Sequence, residues 1–128
     1  VVVVIAILAA ITIVSYNGIT NRANASASKS LASGVQKKAE LFYAEKNIYP
    51  TQSELTSASV DTPFAVPSTT FASALPTATN GKTQVQYVTC GTPITGATII
   101  YWGFNATDGT NGTDAGTKIL TVGTVTGC

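Results

Sequence analysis

Residues Ile19–Pro50 read ITNRANASASKSLASGVQKKAELFYAEKNIYP, and this stretch decides the fold. No proline interrupts it before Pro50, and alanine recurs at Ala23, Ala25, Ala27, Ala32, Ala39 and Ala44. Successive helical residues turn by about 100°, which sets Ala27, Leu31, Val35, Phe42 and Tyr49 on one stripe. Lys29, Lys37 and Glu40 fall off the stripe, and Lys37 with Glu40 has the i,i+3 spacing of a weak ion pair. The pattern predicts an amphipathic helix that turns one face to a core. Tyr49-Pro50 ends it, because the residue before a proline is pushed out of the α region.

Ahead of this stretch, Val1–Val14 reads VVVVIAILAAITIV, with Thr12 its only polar residue. Three structures suit such a run. A signal-peptide core needs a basic flank and a small-residue cleavage site, which Asn17-Gly18-Ile19 does not provide. A buried strand suits the valines and isoleucines but is usually shorter. An apolar helix continues without a break into the amphipathic one, and this reading is favoured. Residues 1 to about 47 then form one helix, apolar in its first half and amphipathic in its second. Fourteen residues span about 21 Å, short of a hydrocarbon core of about 30 Å. The sequence has no Met, so further turns are expected before Val1. Asn17-Gly18 and Gly34 are soft points, each glycine costing up to about 1 kcal/mol against alanine.

Beyond Pro50, Thr51-Gln52-Ser53-Glu54 has capping-box spacing and predicts a helical turn over 52–57. Residues 58–81 carry Pro63, Pro67 and Pro76 and read as a long connection, with room for a short strand near 69–74. Three strand-like runs follow: Lys82–Cys90, Ala97–Asn105 and Thr117–Val125. The middle run, ATIIYWGFN, is apolar on both faces and reads as the central strand, with Tyr101, Trp102 and Phe104 in the core. Val85 and Tyr87 share one face of the first run. Gly91–Gly96 is short enough for a hairpin. The fold class is therefore α+β: a long helix packed on a small antiparallel sheet of three to four strands. Residues 1–21 form the apolar half-helix and 22–128 the globular head.

Composition narrows the chemistry. The 128 residues set a prior of one domain. Only 10% are charged, net +1, against roughly 25% in an ordinary domain. Polarity resides instead in 21 Thr and 10 Ser. Without His there is no Ser-His-Asp or Cys-His catalysis, and two cysteines do not make a Cys-only zinc site. The charge is too sparse for a nucleic-acid stripe. No base or paired carboxylate motif suggests an enzyme, and no cofactor is expected. Cys90 and Cys128 are either two separate thiols or a disulfide; a lone cysteine at an exposed terminus would be a reactive liability, which favours the bond. Its loop of about 38 residues would contribute near 4 kcal/mol and imply an oxidising location.

Val1–Tyr16 resembles the N-terminal helix of type IV pilins and type II secretion pseudopilins. Ile7-Leu8-Ala9-Ala10-Ile11 and the pair Ser15-Tyr16 carry the likeness. Ala39–Pro50 is similar to the way those helices end. The order of helix, connection, meander and terminal Cys resembles the pilin head with its disulfide-bounded loop. Family chains usually begin with Phe or Met and carry a glutamate soon after; those positions would precede Val1 by about eight residues. They also often have a proline where Val14 stands.

The resemblance implies a structural subunit of an extracellular filament on a bacterial surface, serving adhesion, motility or DNA uptake. Val1, Val4, Ile5, Ile7, Leu8, Ile11 and Val14 would form the filament core, while Leu31, Val35, Phe42 and Tyr49 would pack the helix on the head. Ala6, Ala9 and Ala10 would allow close helix approach. The implied partners are copies of the same chain, the cytoplasmic membrane before assembly and a pilus assembly machinery. The alternatives are a pseudopilin or minor pilin, or a monomeric membrane-anchored binding module. Pseudopilins of this kind bind calcium in a C-terminal loop, which makes Asp108, Asn111 and Asp114 calcium candidates; the stretch is not an EF-hand and otherwise reads as a solvated turn. Asn24, Asn105 and Asn111 begin N-glycosylation sequons, a pattern that a Thr-rich chain also produces by coincidence.

Overall fold

The computed structural model describes residues 1–58, 62–104 and 116–128, with 14–19 and 21 described by backbone alone. Helix α1 (Val2–Lys46) is 45 residues long, about 68 Å, and runs unbroken through Asn17-Gly18 and Gly34. It stops at Lys46, within a residue of the end expected near 47. Asn47 adopts the left-handed conformation (φ 59°) and its N–H donates to the Tyr43 carbonyl at 2.7 Å. Asparagine tolerates that conformation, so the helix is closed from within before Pro50 can act.

The capping box forms as the spacing implies. The Thr51 hydroxyl accepts the Glu54 N–H at 3.2 Å, and the Glu54 carboxylate accepts the Thr51 N–H at 2.6 Å. It starts helix α2 (Gln52–Ser57), which delivers the fully buried Leu55 to the core.

The sheet is a three-stranded antiparallel meander of β1 (Gln86–Cys90), β2 (Gly96–Gly103) and β3 (Gly116–Gly123), with β2 central as expected. Ile99 faces Tyr87 on one side and Leu120 on the other. β1 starts later than Lys82 because Asn80 folds residues 77–84 into turns. Its carbonyl accepts from the Thr83 and Gln84 amides, and its side chain accepts the Thr77 N–H at 2.7 Å. A fourth strand near 69–74 is not formed among the described residues. Ser68–Thr70 is a 3-10 turn, the chain bends at Ser73 and Ala74, and pairing is limited to one parallel bridge between Phe71 and Val85.

The face that α1 turns to the sheet differs from the expected stripe by about one residue. Ser28, Ala32, Val35, Ala39 and Phe42 are buried, whereas Ala27 is exposed and Leu31 and Tyr49 only pack at the margin. Ala32 and Ala39 have no exposed surface and meet a core built of Leu55, Val66, Phe71, Val85, Tyr87, Ala97, Ile99 and Val122. Small residues bring the helix axis close to the strands, a packing gain that a count of large apolar residues misses. Two side chains of α1 bond the sheet backbone: the Ser28 hydroxyl donates to Trp102 O at 2.6 Å and the Gln36 amide to Thr121 O at 2.9 Å. The expected Lys37–Glu40 pair is not among the ion pairs of the described residues, where Lys46 instead meets Glu45 at 3.3 Å, both half-exposed.

Tyr101, Trp102 and Phe104 are partly buried rather than core residues. They follow Ala97 and Ile99 in the chain, and Tyr101 packs against the margin of the core. Gly81 packs directly under Trp102, whose side chain occupies the space a β-carbon would need.

Candidate functional site

The most unusual surface is the first third of α1. Val1, Val2, Val3, Val4, Ile5, Ile7, Leu8, Ile11 and Ile13 are each at least 55% exposed, and Val1 reaches 97%. Monomeric soluble proteins rarely carry so large a contiguous apolar surface. Thr12 does not break it, because its hydroxyl donates to the Leu8 carbonyl at 2.8 Å, inside the helix. Val14 belongs to the same run, but its side chain lies outside the described residues. The first fully buried side chain described on α1 is Ser28, about 39 Å along the axis from Val2. One rigid rod thus carries an uncovered apolar end and, further along, a face sealed into the head. Among the described residues, no helix is long and apolar enough to cross a membrane.

Leu31, Val35, Phe42 and Tyr49 lie where the head meets the helix, with Val35 and Phe42 buried. The Phe42 ring meets Phe64 edge-on, with centroids 5.0 Å apart. Cys90 and Cys128 are joined by a disulfide with Cα atoms 4.8 Å apart, as favoured from the sequence. Cys90 is fully buried at the end of β1. The Thr124 N–H donates to Thr95 O at 3.0 Å and continues the tie between the C-terminal segment and the β1–β2 hairpin.

Asn24 sits within α1, half-buried, not on a loop. Asn105, Asp108, Asn111 and Asp114 lie outside the described residues. Among the described residues there is no group of three or more His, Cys, Asp or Glu side chains able to hold a metal ion.

Among the described residues the most perturbed titratable group is Tyr87. Its hydroxyl donates to the Pro50 carbonyl at 2.8 Å in the core, and locks the turn after α1 onto β1. Burial raises its pKa far above the ordinary tyrosine value of about 10, and Glu54 and Tyr49 add to the shift. Below pH 10 the hydroxyl is neutral in both folded and unfolded chains and its stabilisation is fully present. Above that, the unfolded chain ionises while the folded one resists, so stability falls with rising pH. Tyr87→Phe is expected to cost about 1 kcal/mol at pH 7 and to flatten the decline between pH 9 and 11. Urea unfolding at both pH values measures this; an unchanged alkaline slope would count against it.

The sequence did not point to the pairing of Tyr43 with Tyr49. Their rings stack at 4.5 Å and 17° beside the helix end, beyond the turn made by Asn47. The two are six residues apart, a spacing that a continuous helix would set about 120° away from one another, and Tyr49 reaches Tyr43 only because it lies past the helix and returns through that turn. No family model, curated protein or solved structure matches this chain.

Proposed function

We propose that the protein is a structural subunit that polymerises through the apolar end of α1, in the manner of a type IV pilin, to form an extracellular filament of identical copies. One observation carries the reading: an uncovered apolar rod is continuous with a helix whose later turns form the core of a small disulfide-closed head. Fully burying a large aliphatic side chain is worth roughly 1.5–3 kcal/mol, so burying half of nine such residues gains on the order of 10 kcal/mol. That is comparable to the cost of immobilising a subunit, about 4–15 kcal/mol, and each subunit in a bundle is contacted from several sides. Lipid satisfies the same surface before assembly and neighbouring helices satisfy it afterwards, so transfer from one to the other is energetically shallow. The disulfide suits an oxidising location outside the cytoplasm. The charge-poor head lets many copies approach with little repulsion.

The test is electron microscopy of the full chain, purified in detergent and then freed of it. Helical polymers of uniform diameter are expected, with heads outward. A chain that stays monomeric with its N-terminus intact overturns the reading.

A further inference from the structure

At the C-terminal end of α1 the chain turns back on itself and builds a cleft. Asn47 reverses the direction, and Tyr49 returns to stack on Tyr43. The Tyr49 ring also rests against Gly123, where a β-carbon would collide with the ring and with the Thr95 carbonyl. Gly123 has φ 63°, so both conformation and space call for glycine there. The space between the helix end, the β1–β2 hairpin and the end of β3 has a volume of about 420 Å³, within the range of small-ligand sites.

The lining is chemically selective. No Lys, Arg, Asp or Glu contributes to it. An anion would find no cation there and a cation no carboxylate. What the cleft offers is a ring and neutral hydrogen-bonding groups. Tyr43 is 42% exposed and is held in place by its stack on Tyr49. The hydroxyls of Tyr43, Tyr49 and Thr124 and the side-chain amide of Asn47 make no hydrogen bond with other described residues. Burial first, then Tyr43 and Glu40, raise the pKa of the Tyr49 hydroxyl, and as a phenol it both donates and accepts.

A pyranose has the matching properties: an apolar C–H face for an aromatic ring and a rim of hydroxyls that both donate and accept. We propose that this cleft binds a neutral saccharide, its ring stacked on Tyr43 and its hydroxyls bonded to Asn47, Tyr49 and Thr124. The assignment uses residues of the head alone and does not rest on the filament reading. The cleft lies at the opposite end of α1 from the apolar segment, so a ligand there would be accessible when the apolar end is buried.

The experiment uses the full chain in a detergent without a sugar headgroup. Glucose, galactose, N-acetylglucosamine, N-acetylgalactosamine and their disaccharides are titrated, with glucuronic and sialic acids as anionic counterparts. Saturation-transfer NMR and the amide shifts of Gly123 and Thr124 are the readouts. At least one neutral sugar is expected to bind and move those amides, and Tyr43→Ala is expected to weaken it about tenfold, near the upper end of what one stacking ring contributes. Asn47→Gly keeps the left-handed turn but removes the amide, so it should weaken binding several-fold at unchanged helix content. It also carries the comparison if Tyr43→Ala lowers helicity. Absence of neutral-sugar binding, equal binding of the anionic sugars, or affinity indifferent to both substitutions overturns the proposal.

Discussion

Replacing Leu8 with lysine is expected to abolish polymerisation while leaving the head intact. Leu8 is 59% exposed on a part of α1 remote from the core, so the isolated subunit loses no packing. Substitutions at such sites usually change stability by less than about 0.5 kcal/mol, a shift of roughly 2 °C for a domain of this size. In a helical bundle the same lysine places an unpaired ammonium among aliphatic side chains. Burial of an uncompensated charge costs about 3–5 kcal/mol, and in a polymer of identical subunits that cost recurs at every position. Leu8→Ile conserves volume and should assemble as the parent does. Sedimentation and electron microscopy report assembly, and circular dichroism reports the head. Filaments from Leu8→Lys at parental yield would sink the idea that this surface drives association.

Removing the disulfide should be the largest single loss of stability in the head. A closed loop of about 38 residues restricts the unfolded chain by about 4 kcal/mol in the entropy description. The paired Cys90→Ser, Cys128→Ser variant is therefore expected to melt on the order of 15 °C lower. The geometry argues for a full effect, because Cys90 is wholly buried at the end of β1 and the bond holds the segment that follows β3. Without it, that segment is tied by the Thr124–Thr95 backbone bond and by the Thr95 hydroxyl donating to Thr124 O at 3.1 Å. A drop of less than about 3 °C would mean that the unfolded chain is already compact across this loop. Reduction of the parent by dithiothreitol should reproduce the variant.

The elements that could be read correctly from the sequence are those with local causes. The capping box at Thr51 and Glu54 needs residues three apart in sequence and works through two local hydrogen bonds. The proline-free, alanine-rich run commits 45 residues to one helix. The β-branched run at 97–103 is apolar on both faces and took the central place in the sheet. The errors came from tertiary contacts. The buried stripe of α1 follows Ser28, Ala32 and Ala39 because close approach to the sheet rewards small residues over large ones. The aromatic triplet at Tyr101, Trp102 and Phe104 is only partly buried, with Tyr101 packed at the margin of the core. The room for a short strand near 69–74 holds a single bridge, between the turn before it and the bends after it.

The same division separates the two functional surfaces. The apolar end of α1 was legible at once, because an unbroken run of aliphatic residues states its need for an apolar environment wherever it is placed. Only the tertiary structure decided that this need goes unmet over residues 1–13, and that the first wholly buried side chain described on α1 is Ser28. The cleft could not be read at all. It joins Tyr43, Asn47 and Tyr49 to Thr95, Gly123 and Thr124, groups separated by up to about eighty residues. The sequence by itself therefore determined the rod, its caps and its strands through forces acting within a few residues. Which face of the rod is sealed, and which polar groups are left unpaired around a tyrosine stack, depends on close packing between distant segments, and only the folded chain determines it.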